Sequence, residues 1–174
     1  MVIINYDSNW PERFLKIKAE LQKAITVISD IQHVGSTSIP GMKAKPIIDI
    51  DVGLENRGDF EKVKMALAEI GYEHEGDKGI TGREAFCRNG KVKNKILDNI
   101  DHHLYVCSVD NEEYRRHILF RDYLRNHTEA RDRYNQIKEE ILANVGPENR
   151  AGYVQMKEEE YRDFFEEIIE KAKQ

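Results

Sequence analysis

The chain has 174 residues, 40% hydrophobic and 34% charged, which suits a single globular domain with a real core. A formal net charge of −5 argues against a general nucleic-acid binder, which needs a basic surface to displace counterions, but leaves room for a locally positive pocket. No window is apolar for the length a bilayer requires, and the start, MVIINYDSNWPERF, lacks the charged lead and long apolar run of a secretory signal. A cytoplasmic protein is expected, and the two cysteines, Cys87 and Cys107, read as buried small hydrophobes in a reducing compartment.

Val2-Ile3-Ile4 is a short apolar start. Ser8 or Asn9 can cap a helix, Pro11 is tolerated in its first turn, and Phe14, Ile17, Leu21, Ala24, Ile25 and Ile28 recur at helical spacing. Asp30 to Val34 reads as a short strand that delivers a turn at Val34-Gly35-Ser36, followed by the small polar residues Thr37 and Ser38. Exposed N–H groups at a glycine turn are good phosphate ligands. Lys45-Pro46 then leads into the alternating run Ile47-Ile48-Asp49-Ile50-Asp51-Val52. In a strand, Asp49 and Asp51 share one face, while Ile48, Ile50 and Val52 point the other way. Two carboxylates there are costly to desolvate unless a cation or a proton joins them, and a hard divalent metal with bound phosphate meets that demand. Such pairs also occur on the solvated face of ordinary strands. Twelve residues separate Ser36 from Asp49, room for one short helix to return the chain to a neighbouring strand.

The spacing predicts a second helix over 59–70 with Gly71 ending it, a strand at 72–74, a loop over 75–82 and a strand at 84–88 closed by Asn89-Gly90. The run Lys91, Lys93, Lys95 reads as a solvated loop. Residues 102–107 form the next strand, with Asp101, His103 and Tyr105 on one face and His102, Leu104 and Val106 on the other. Helices follow over about 112–126, 128–144 and 148 to the end, punctuated by Gly146-Pro147. Tyr134 with Lys138 and Tyr153 with Lys157 are i, i+4 pairs. Each can stack a base and contact a phosphate, or pack as an amphipathic edge; packing is favoured for the first pair and left even for the second. Arg121 and Arg125 share a face and could grip phosphate, or pair with nearby carboxylates.

These pieces resemble the nucleotidyltransferase superfamily typified by DNA polymerase beta and, more specifically, the GrpB family (UPF0157). The resemblance rests on Tyr6…Trp10, HVGSTSIPG at 33–41, AKPIIDIDV at 44–52, HHLYV at 102–106, FRDYLR at 120–125 and the tyrosine–lysine pairs. It implies an α/β (α+β) fold, a mixed sheet flanked by helices in a core of about residues 1–110, with a helical segment over about 111–174. It also implies that Asp49 and Asp51 bind magnesium and that Gly35 and Ser36 hold a triphosphate. Thr37, Ser38, Lys45, Arg121, Arg125, Tyr153 and Lys157 complete the expected nucleotide contacts. The superfamily takes a third carboxylate from a later strand, often as general base; Asp101 or His103 is the candidate here. The expected activity is transfer of a nucleoside monophosphate from a nucleoside triphosphate to a small-molecule acceptor. Two alternatives stand beside it. One is a catalytically silent nucleotide- or coenzyme A-related binding domain that assists a partner enzyme, since relatives occur fused to dephospho-CoA kinase. The other is a metal-dependent phosphohydrolase. No membrane partner is expected.

Overall fold

The computed structural model describes residues 2–174. The strand that the rest surrounds is β2, Ile48–Leu54, in which Ile48, Ile50 and Val52 are at most 1% exposed. Their face is covered by α1, Trp10–Ala24, which buries Trp10, Phe14, Ile17 and Leu21, and by α2, Phe60–Glu69, which buries Val63 and Leu67. Helix α1 starts where the Asp7 carbonyl and carboxylate accept the Trp10 and Asn9 amides, with Pro11 in the first turn. Helix α2 ends at Gly71, whose φ of +89° lies in the left-handed region that glycine enters without strain.

Five strands form one sheet in the order β1-β2-β5-β4-β3, where β1 is Ser29–Val34, β3 Tyr72–Gly76, β4 Arg83–Arg88 and β5 His102–Ser108. Only β2 and β5 run parallel; the other neighbours are antiparallel. The β1–β2 register places Val34 opposite Asp49, and the β2–β5 register sets Asp49 beside His103 and Asp51 beside Tyr105. Between β1 and β2 the chain makes a single 3₁₀ turn at Ser36–Ser38, shorter than the helix the spacing allowed, and Ala44 pairs with Ile4 on the way back.

Other elements also differ from the sequence reading. The helical stripe read as far as Ile28 stops short, since α1 ends at Ala24 and Ile28 is 80% exposed. The lysine-rich stretch leads into a short helix, α3, Lys95–Asn99, because the Asn94 side chain accepts the Ile96 and Leu97 amides and Leu97 drops into the core. The last helix is broken. After α4, Glu112–Asn126, and α5, Thr128–Val145, the chain forms α6, Arg150–Glu159, and α7, Arg162–Ala172. The turn at Tyr161, whose hydroxyl donates to Glu140, lets Phe164 and Phe165 pack on Tyr134 and lets Ile168 join a second core with Ile39, Met42, Leu124, Ile137 and Ile141. Helix α4 lies over the carboxylate face of the sheet. Gly53 allows this, since a Cβ there would come within 2.6 Å of the Tyr114 ring.

Candidate active site

Asp49, Asp51, Gly35 and Ser36 come together, as the alternation and the turn imply, along one cavity of about 600 Å³. Gly35 has a φ of +67°, and a Cβ on it would sit 2.3 Å from Asp49 Oδ2, so the turn backbone rests directly against the carboxylate. Asp51 is fully buried. Its Oδ2 lies 2.6 Å from His117 Nδ1, while its Oδ1 has no hydrogen-bond partner. Asp49 is half-buried, and its Oδ1 lies 2.8 Å from His103 Nδ1. A buried carboxylate oxygen left without a donor is costly, and a cation beside it removes that cost.

The donor set fits a hard divalent ion. Two carboxylates on one strand face supply oxygen, and waters and phosphate oxygens complete a magnesium shell. Among the described residues, no group of three or more histidines, cysteines or acidic residues is placed to hold a metal unaided. Water or ligand oxygens would have to complete the shell of an ion held by the two aspartates.

A second cavity, of about 460 Å³, adjoins the first along Ser36, Asp49, Arg83 and Tyr105. Thr37, Lys45, His103, Tyr153 and Lys157 line it. The Thr37 hydroxyl is buried between His33 and the Ile47 carbonyl, and Ser38 Oγ donates to the Gly35 carbonyl at 2.6 Å, so both of these side chains brace the turn. His33 is pushed down to about 4 by burial and stays neutral, stacked on Phe14. Arg121 is 8% exposed; it donates to the His33 carbonyl, Gln32 and Asp122. Arg125 donates twice to the Ser38 carbonyl. These two guanidinium groups tie α4 to the turn. Asp101 is exposed, one residue before β5, and borders neither cavity, whereas His103 sits against Asp49.

Other contacts emerge only in three dimensions. His117 reaches Asp51 from α4. Lys138, 3% exposed, donates to Ser36 Oγ at 2.7 Å and to the Lys43 carbonyl at 2.5 Å, with its Nζ 4.3 Å from the Tyr134 ring centroid. The packing reading of that pair holds for the ring, but the ammonium faces the turn. Burial and the neighbouring Lys157 push Lys138 down to about 7. Lys157 is itself raised by Tyr134. Arg83 stacks its guanidinium 4.2 Å from the Tyr105 ring, and its buried Nε has no partner.

The mixed five-stranded sheet flanked by helices is a nucleotidyltransferase-like fold. The Cid1 poly(U) polymerase, solved with its short product ApU, superposes with a TM-score of 0.51 at 12% identity, over 82% of this chain and 45% of that one, a likeness of fold alone. The chain belongs to the GrpB family: the family model described as GrpB protein matches residues 1–171. The crystal structure of GrpB from Enterococcus faecalis superposes with a TM-score of 0.81 at 28% identity, over 99% of this chain and all of that one. The glutamate-rich protein GrpB of Alkalihalophilus pseudofirmus is 34% identical over 97% of this chain and 94% of its own length. The UPF0157 protein YqkA of Bacillus subtilis is also 34% identical, over 90% of this chain, which spans 44% of YqkA.

Proposed function

We propose that the protein is a cytoplasmic, magnesium-dependent nucleotidyltransferase that moves a nucleoside monophosphate from a nucleoside triphosphate to a small-molecule acceptor. The carrying observation is the Asp49–Asp51 pair against the Gly35–Ser36 turn, with one Asp51 oxygen buried and unpartnered. Asp49 and Asp51 would hold the metal, which would offset negative charge that develops on the phosphoryl group during transfer. Gly35 lets backbone approach the polyphosphate, and Ser36, braced by Lys138, contacts it. His117 fixes the Asp51 carboxylate through Oδ2. A neutral His103 that donates from Nδ1 to Asp49 keeps Nε2 as an acceptor, and that nitrogen takes the acceptor's hydroxyl proton. The acceptor oxygen then bonds to the α-phosphorus as the bond to the leaving pyrophosphate breaks.

One observation favours a second reading. The residues of β5 beside the two aspartates are His103 and Tyr105, with no carboxylate between them, which suits a silent nucleotide- or coenzyme A-related binding domain. Incubation with magnesium and nucleoside triphosphates labelled at the α-phosphate, with and without a pool of small acceptors, separates the cases. Transfer places label on an acceptor and releases pyrophosphate. Label released as monophosphate without acceptor supports a phosphohydrolase, and nucleotide binding with no turnover supports the silent domain.

A further inference from the structure

Two cations that border the first cavity and not the second have carboxylate partners: Arg116 pairs with Glu166 and Glu113, and Arg121 with Asp122, while Arg162 there donates to the Glu158 carbonyl. Five cations of the second cavity have none. Lys45, Arg83, Lys138, Arg150 and Lys157 form no ion pair among the described residues, and all five line the second cavity, together with the carboxylates of Asp49 and Glu158. The hydrogen bonds of Lys138 go to a hydroxyl and a carbonyl, and Arg83 rests on a ring. The crowding is felt within the cluster. Lys45 is lowered by burial and by Arg150, and Lys138 by burial and by Lys157. The five cations outnumber the two carboxylates on that wall, and like charges held together are relieved by an anion that lies between them.

The two cavities also divide the site's chemistry. Gly35 and Asp51 border the first and not the second; His103 borders the second and not the first. A general base has to lie within hydrogen-bond reach of the proton it takes, so the cavity that holds His103 is the one that receives the acceptor. We propose that the second cavity is the acceptor subsite and that the acceptor is a small hydroxyl compound carrying a phosphomonoester, gripped by Lys45, Arg150 and Lys138. This rests on the transfer reading above. The acceptor's hydroxyl oxygen forms the new bond to the α-phosphorus, its proton goes to His103, and pyrophosphate leaves with the electron pair of the broken bond. Neutral alcohols and amines lack the charge that this cluster is built to meet.

The test is a thermal-shift titration at fixed ionic strength with glycerol 3-phosphate, glycerate and glycerol, with and without magnesium and a non-hydrolysable nucleoside triphosphate analogue. Wild type is compared with Arg150→Ala and with the charge reversal Arg150→Glu, both at an exposed position outside the expected nucleotide contacts. Glycerol 3-phosphate is expected to stabilise wild type, more than glycerate, with glycerol inert, and to do so when nucleotide is already saturating. The variants are expected to bind it at least tenfold more weakly and to keep their magnesium–nucleotide response. Mutual displacement of glycerol 3-phosphate and nucleotide overturns the proposal, because the cations then hold the triphosphate. So does a wild type indifferent to glycerol 3-phosphate, or one in which glycerate binds as well. A wild type that responds to glycerol 3-phosphate but never to magnesium and nucleotide sinks the transfer reading, and the acceptor role with it.

Discussion

On either side of Asp49 the protein treats charge differently. Toward α4 and α7, Arg116 meets Glu113 and Glu166, and the fully buried Asp51 meets His117. Toward α5 and α6, five lysines and arginines that form no ion pair among the described residues line a cavity with only two carboxylates, Asp49 and Glu158, and Lys138 among them is 3% exposed. The Arg116 ion pairs are complete as they stand, whereas an unpaired charge on a cavity wall is incomplete until a ligand arrives. The Asp51 side lacks a cation at one oxygen, and the Lys138 side lacks an anion.

The largest expected break comes at the wall between the two sides. Gly35→Ala forces an unfavourable backbone angle and drives a methyl group into Asp49, so urea melts should show a loss of about 2–3 kcal/mol, with magnesium–nucleotide binding lost too. Unchanged stability and binding would mean that this contact does not set the site. On the cation-rich side, Lys138 releases its proton near 7 when folded and near its ordinary 10.5 when unfolded. Between those values the unfolded chain holds more protons, so stability should rise with pH from 7 toward 10.5, by at most about 1.4 kcal/mol per pH unit. Lys138→Met should flatten that slope in melts taken at several pH values. A smaller effect of opposite sign to most substitutions is expected on the paired side. Asp51→Asn removes a buried charge with an unpartnered oxygen, and should raise the ligand-free melting temperature by about 2–4 °C, equivalent to about 1 kcal/mol. Smallest is Arg116→Ala, which loses a part-exposed bridge to α7 and should cost no more than about 1 kcal/mol in the same melts.

What the sequence disclosed follows the range of the forces involved. The β2 alternation is local, and it separated the buried Ile48, Ile50 and Val52 from Asp49 and Asp51. The Gly-Ser turn is equally local, and it lies where the reading placed it, against Asp49. The break between α6 and α7 was not legible, because no glycine or proline marks it; long-range packing of Phe164 and Phe165 on Tyr134 sets it. Helix α3 has five residues, too few for periodicity to show. His117 carries no motif and lies 66 positions from Asp51, so only the packing of α4 on the sheet unites them. Lys138 showed the spacing of an amphipathic edge, and its ring contact follows that spacing. Its hydrogen bond to Ser36, 102 positions away, does not.

Calorimetric titration of a non-hydrolysable magnesium–nucleoside triphosphate into wild type and Asp51→Asn bears most directly on the paired aspartates. Magnesium-dependent binding to wild type, weakened at least tenfold in the variant while the variant stays folded, is the predicted result. Equal affinity in the two proteins, or binding that ignores magnesium, would contradict it.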